Sequence, residues 1–258
     1  MSWKPAFSAG CFGAYPDFDD PARLAALLSQ VRCDLVEMPA YGSWPGRRPE
    51  ALAPLLAAGK TFFAVHSDKR IGRLVQTGNP DDLAGGLALL REAAAFGGAL
   101  GCRLLDLHLW GAGADMSVIL AALPAVLDVA GDGGLEFCVE FVPGAGEPLP
   151  VIGELAQRGV SLSLDTEFLS WFGPAHAILA DVLEAFGGLV RNVHVRDFDG
   201  RPYDDAGRRR YCRFGEGCLD IAGVKRALSA SGWDGYVTAE LGPVATEEVN
   251  RVLGLLAA

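Results

Sequence analysis

Positive charge is scarce in this chain: 22 Lys and Arg face 32 Asp and Glu, for a formal net charge of −10. That argues against a nucleic-acid surface, because phosphate binding needs clustered Lys and Arg. None of the six cysteines (Cys11, Cys33, Cys102, Cys138, Cys212, Cys218) belongs to a CxxC pair, and several sit in apolar runs. They read as reduced thiols and not as a disulfide framework. No run reaches about 18 uninterrupted apolar residues, and the start, Met-Ser-Trp-Lys-Pro, carries no apolar signal core. The expectation is a cytoplasmic protein with no membrane partner. No linker, low-complexity tract or repeat divides the sequence, so residues 1–258 read as one domain. The first turn, Gly10-Cys11-Phe12-Gly13, lacks the GxGxxG phosphate fingerprint, which weakens a doubly wound open sheet as the alternative fold.

What the chain does have is alternation. Short β-rich runs at Ala6 to Gly10, Asp34 to Met38, Thr61 to His66 and Arg103 to His108 are each followed by a stretch with helical spacing. Asn79-Pro80, for example, announces a long helix with Leu83, Leu87 and Leu90 on one face. The pattern continues through strands ending at Glu140 and Asp165, a strand carrying His194 and a strand ending at Glu240, with a last helix over Glu247 to Leu255. Eight strand-then-helix units in about 250 residues predict a closed (β/α)8 TIM barrel of class α/β.

Barrel geometry gives the strand ends a meaning, since the C-terminal ends of all strands open on one face. The seventh run, Leu189-Val190-Arg191-Asn192-Val193-His194-Val195, carries β-branched Val190, Val193 and Val195 and ends by presenting His194 before a polar loop. Three others, Phe137-Cys138-Val139-Glu140, Ser161-Leu162-Ser163-Leu164-Asp165 and Tyr236-Val237-Thr238-Ala239-Glu240, end in a carboxylate. Alternation places Cys138, Ser161, Ser163, Asn192 and Thr238 on the same inward side, small or polar residues that would leave room for a ligand. Three carboxylates converging in a semi-enclosed site repel one another and lose solvation unless a cation balances them. One divalent metal, with His194 as its nitrogen ligand, meets that need. An oxygen-rich donor set favours Mn²⁺, Mg²⁺ or Co²⁺, with Zn²⁺ left open.

The motifs Cys-Val-Glu140-Phe, Leu-Asp165-Thr, Val-His194-Val-Arg-Asp-Phe-Asp-Gly, Gly215-Glu216-Gly217-Cys-Leu-Asp and Gly235-Tyr-Val-Thr-Ala-Glu240 stand in the order seen in one family. With them, the sequence resembles the xylose isomerase-like TIM barrels, a group of sugar isomerases and epimerases that includes dehydratases and an apurinic endonuclease branch. The resemblance implies Glu140, Asp165, His194 and Glu240 as metal ligands. It also implies Glu140 and Glu240 as the pair that moves a proton next to a metal-polarised carbonyl. His66 and His108 match histidines found at the ends of the third and fourth strands, where each either contacts substrate or metal or fills the barrel mouth through satisfied hydrogen bonds.

Two features depart from the family. Where many members follow the sixth-strand Asp with Thr, a variable residue and His, this chain has Asp165-Thr166-Glu167-Phe168. After Glu140 the ketose 3-epimerase pattern is also absent. Phe168 and Trp171 are therefore expected to shape the pocket. Trp44, Trp110 and Trp171 fall after strands, where each either stacks on a sugar ring or simply packs. Glu37 ends the second strand and either reaches the pocket or forms a salt bridge. His176 reads as a surface residue; Lys69-Arg70 and Arg208-Arg209-Arg210 either meet an acidic substrate group or remain solvated.

Three classes stay open: a metal-dependent isomerase or epimerase of a small sugar, polyol or sugar phosphate; a dehydratase (lyase) of a polyhydroxy ring or acid; and a metal- or sugar-binding barrel without turnover. All three expect a small carbohydrate-like partner and are compatible with a homo-oligomer.

Overall fold

The computed structural model describes residues 2–13, 20–40, 48–207 and 210–257. Eight parallel strands close in sequence order: β1 (Lys4–Ser8), β2 (Leu35–Pro39), β3 (Thr61–His66), β4 (Leu104–Leu107), β5 (Glu136–Glu140), β6 (Ser161–Asp165), β7 (Val190–Val195) and β8 (Tyr236–Ala239). β8 pairs with β1 from Lys4 opposite Tyr236 to Phe7 opposite Ala239, which completes the ring. The (β/α)8 architecture expected from the alternation is what the chain adopts.

Helices surround the ring: α1 (Pro21–Gln30), α2 (Arg48–Ala57), α3 (Arg70–Val75), α4 (Pro80–Leu100), α5 (Met116–Asp132), α6 (Pro148–Ala156), α7 (Thr166–Ser170), α8 (Ala175–Phe186), α9 (Ile221–Ala230) and α10 (Thr246–Ala257). Several begin with the caps the sequence announced. The Asn79 side chain accepts from the amides of Asp81 and Asp82, with Pro80 in the first turn. The same helix stops where Gly101 turns left-handed at φ 80°. α4 is long and apolar enough to cross a membrane by length and composition. Here it packs on the barrel. A Cβ at Gly97 would lie 2.5 Å from Val65 Cγ1 of β3, so only glycine permits that approach.

Apolar side chains occupy two separate regions. The larger lies between the strands and the helices and includes Leu28, Leu55, Leu90, Phe96, Ile119, Val126, Ile152, Leu179 and Val252. The smaller plugs the barrel interior near the strand starts with Ala6, Phe63, Ala64, Leu104 and Cys138, against which Leu35 and Tyr236 pack. Phe63 and Tyr236 stack there with ring centroids 4.1 Å apart. Above this plug the interior turns polar. β3 and β6 occupy the residues expected, whereas β1, β2 and β4 differ from the expectation by a residue or two at their ends. The short helices α3 and α7 were not expected; a single turn is too short to show a helical period.

Candidate metal centre and active site

The polar upper half of the barrel is built by strand ends. Glu140 ends β5, Asp165 ends β6, His194 lies on β7, and Glu240 follows β8 with its amide bonded to the Val195 carbonyl at 3.2 Å. Asp165 pairs with His194 in the β6–β7 register, and His194 with Thr238 in β7–β8. These four side chains converge at one mouth, where one donor atom from each lies within 4.8 Å of the others. Glu140, Asp165 and His194 are buried; the Glu240 side chain remains 24% exposed on the open side.

Three histidines gather on Glu140. His66 Nε2 donates to Glu140 Oε2 at 2.9 Å and His108 Nε2 to the same oxygen at 2.7 Å. The other His66 nitrogen, Nδ1, faces the Ser67 carbonyl at 3.1 Å, so both ring nitrogens meet acceptors. Burial alone would push His66 down, but the hydrogen bond and charge of Glu140, with the charge of Glu37, carry it up to about 9. Burial likewise opposes ionisation of Glu140, yet the charges of His108 and His194 hold its carboxyl well below the usual range. With Oε2 taken by two imidazoles, Glu140 turns Oε1 towards His194 Nδ1 at 3.3 Å.

His194 Nδ1 is the decisive atom for a metal. It is fully buried and makes no well-aligned hydrogen bond. Its nearest acidic oxygens are Glu140 Oε1 at 3.3 Å and Glu240 Oε2 at 3.8 Å. Donors bonded to one ion at about 2.1 Å lie about 3.0 Å apart at right angles and about 4.2 Å apart on opposite sides, so separations of 3.3 and 3.8 Å suit a single divalent cation. The donor set, three carboxylates and an imidazole, suits such an ion chemically.

A guanidinium crosses the same mouth. Arg196 Nη2 lies 2.6 Å from Asp165 Oδ2, its Nε 2.9 Å from Glu167 Oε2 and its Nη1 3.4 Å from Glu240 Oε1. Its Cζ sits 4.9 Å from the centre of the Phe168 ring. Asp165 also caps α7, with Oδ1 accepting the Glu167 amide at 2.7 Å. Burial, offset only in part by Arg196 and reinforced by Glu240, Glu140 and Glu167, pushes the Asp165 carboxyl up to about 8. Arg196 and Glu167 stand in motifs of the sequence that gave neither of them a role. For Arg196 a signal existed: it follows Asn192 and His194 at steps of two, the inward parity of β7.

Beneath the mouth lies a polar floor. Glu37, on β2, accepts from His194 Nε2 at 2.7 Å and from Asn192 Nδ2 at 2.9 Å, through the same oxygen. Asn192 Nδ2 also donates to Asp106 Oδ2 at 2.9 Å, and Ser163 Oγ to Asp106 Oδ1 at 2.7 Å. Thr238 Oγ1 donates to Asn192 Oδ1 at 2.8 Å. The inward parity expected for Ser163, Asn192 and Thr238 is present, but the space they were expected to leave for a ligand is not. Glu37 and Asp106 fill it, both fully buried. Of the two possibilities for Glu37, the structure shows an ionic hydrogen bond to a site histidine.

No protein-family model matches the sequence, and no curated protein matches it either. Solved structures do. A D-tagatose 3-epimerase-like protein superposes with a TM-score of 0.74 at 18% identity, covering 98% of this chain and 97% of that one. The fold is that of the xylose isomerase-like barrels. A xylose isomerase domain protein from Planctomyces limnophilus gives a TM-score of 0.68 at 16% identity, over 99% of this chain and 95% of that one. The 3-keto-D-glucoside 4-epimerase YcjR from E. coli gives 0.70 at 15% identity, over 99% of both chains.

Within this barrel the aromatic residues divide. The Phe168 ring lies edge-on to His108 at 6.0 Å and to Trp171 at 6.2 Å, beside the mouth. Trp171 is 43% exposed beside it. Of the two possibilities for Trp110, the structure shows packing. It is buried in the outer apolar region against Phe141, and its indole N–H donates to the Val142 carbonyl at 2.8 Å. Trp44, Arg208 and Arg209 lie outside the described residues, whereas Arg210 pairs with Asp199 and Arg70 with Asp68. His176 is half-exposed near Asp220. A cavity of about 750 Å³ lies beside the mouth between Trp171, Pro174, Phe198 and Leu219, and none of the converging carboxylates lines it.

The charge arrangement predicts a pH dependence for the metal-free protein. His66 binds its proton more tightly folded, up to about 9 against an ordinary 6.5, so its contribution is present below pH 6.5 and lost as pH rises through 9. Asp165, raised from 3.8 to about 8, acts in the same direction: its protonated form is favoured in the fold and stability falls as it ionises. Urea unfolding with a chelator present should therefore show stability falling from pH 6.5 to 9. Bound divalent metal should flatten that decline by taking over the charge balance.

Proposed function

We propose that this chain is a divalent-metal-dependent isomerase or epimerase of a small sugar, polyol or sugar phosphate. The observation that carries the reading is the buried His194 Nδ1, without a well-aligned hydrogen bond, facing Glu140, Asp165 and Glu240 at the mouth of a barrel shared with sugar epimerases. Glu140, Asp165, His194 and Glu240 would hold the ion. When bound, it would polarise a substrate carbonyl and stabilise negative charge on its oxygen.

The chain's own groups then account for proton movement. Glu140 belongs to β5 and Glu240 follows β8, three strands on around the ring, so the two carboxylates approach a bound molecule from different sides. Glu240, on the open side, is the better placed to accept a proton from the carbon next to the carbonyl. Glu140 serves the other face, and His66 and His108, hydrogen-bonded to its Oε2, supply or remove its proton. Arg196 holds Asp165 and Glu167 in place and keeps cationic charge beside Glu240. Phe168 and Trp171 close one side with apolar faces, which suit the carbon side of a sugar ring.

The test is turnover of a ketose and cyclic-polyol panel by the protein loaded with Mn²⁺, Mg²⁺, Co²⁺ or Zn²⁺. An epimer or isomer without change of mass supports the proposal, loss of water points to the dehydratase class, and no conversion of any kind points to a binding barrel. Phe168→Ala should raise KM by about tenfold, on the order of 1.4 kcal/mol of binding, while leaving kcat nearly unchanged. Steady-state kinetics of that variant separate a wall of the pocket from a group in the chemistry.

A further inference from the structure

We propose that Glu37 is a positioning residue for the metal centre: it keeps the His194 proton on Nε2 and so turns the Nδ1 lone pair to the ion. This rests on the metal reading above and adds a residue that the donor set does not include. Glu37 Oε2 lies 2.7 Å from His194 Nε2, and the ring's other nitrogen faces the mouth, 3.3 Å from Glu140 Oε1 and without a well-aligned hydrogen bond. An imidazole whose Nε2–H is committed to a carboxylate has only one nitrogen left as a ligand, and the carboxylate also raises that nitrogen's basicity.

Glu37 is itself held from below. Asn192 Nδ2 donates to the same oxygen at 2.9 Å and to Asp106 at 2.9 Å, while Thr238 fixes the Asn192 carbonyl at 2.8 Å. Ser163 secures Asp106 from β6. Five strands thus lock one carboxylate against one imidazole. A barrel interior is ordinarily packed with branched apolar side chains, and burying Glu37 and Asp106 there has a desolvation cost that such packing would avoid. Glu37 Oε1, fully buried without a hydrogen bond, adds to that cost. Stability does not explain the arrangement; control of His194 does.

The floor could instead be a second cation site, since Glu37, Asp106 and His194 also offer donors within 4.8 Å of one another. The Asn192 amide occupies that role. It stands 2.9 Å from both carboxylates and presents its N–H groups where an ion would sit.

The chain has only four histidines, so ¹⁵N-histidine NMR of the Zn²⁺-loaded protein can assign each ring. His194 should carry its proton on Nε2 and bind zinc through Nδ1. Co²⁺ titration followed by visible absorbance should show Glu37→Leu binding about 10- to 100-fold more weakly than wild type. Its melting temperature should fall, because the His194 Nε2–H and the Asn192 amide lose their buried acceptor. Glu37→Gln should bind within about threefold of wild type, because its oxygen can replace Oε2 while its NH₂ takes the place of the unpartnered Oε1. A His194 proton on Nδ1, or wild-type Co²⁺ affinity in Glu37→Leu, would overturn the inference while leaving the metal reading intact. Failure of the wild-type protein to bind either ion would overturn both. Should Glu37→Leu not fold, the wild-type tautomer decides.

Discussion

Glu140→Gln and Glu240→Gln are each expected to lower turnover by at least about a hundredfold, the usual scale for a lost acid or base. Glutamine keeps the length and shape of each side chain but cannot take up a proton. In Glu140→Gln the amide oxygen can still accept the hydrogen bonds of His66 and His108, so the fold around it should persist. The Glu240 side chain, partly exposed and braced by Arg196 at 3.4 Å, should tolerate the change equally well. Steady-state kinetics under saturating metal should therefore place the loss in kcat. Full activity in both variants would mean that another group moves the proton, with His66 or His108 next in line.

The combined variant Asp165→Asn with His194→Ala should abolish divalent-metal binding, against roughly one ion per chain in the parent. The asparagine introduced by Asp165→Asn can still cap α7 through its side-chain oxygen, in place of the carboxylate oxygen that accepts the Glu167 amide at 2.7 Å. The loss would therefore not come from unwinding that helix. What disappears is one ligand charge and the only nitrogen donor of the set. Removing two direct ligands cuts affinity well beyond the tenfold to hundredfold typical of supporting residues. Metal content measured after dialysis checks this, and an unchanged content would refute the assignment of these four ligands.

The carboxylates and histidine at the mouth were legible because a barrel strand is short, buried and terminated by its functional residue. Glu140, Asp165, His194 and Glu240 each announced themselves in that way. The floor was legible only in part. Glu37 stood at a strand end, but nothing in one sequence says which strand across the barrel it meets. Asp106 went unnoticed inside Leu-Leu-Asp-Leu-His, although Leu104, Asp106 and His108 share one parity and so one face. Trp110 continues that parity, yet β4 has ended at Leu107, and its indole turns outward to the Val142 carbonyl. Periodicity places side chains only while the strand lasts. Arg196 was hidden for a different reason: a lone Arg in a polar stretch usually means solvent, and only closure of the barrel brings Asp165, Glu167 and Glu240 around it.

A crystal soaked in Mn²⁺ and measured at the manganese absorption edge addresses the metal centre directly. One anomalous peak is expected at the mouth, bonded to Glu140, Asp165, Glu240 and Nδ1 of His194. A peak on the floor between Glu37 and Asp106, or none within reach of His194, would contradict a catalytic metal held by these four residues.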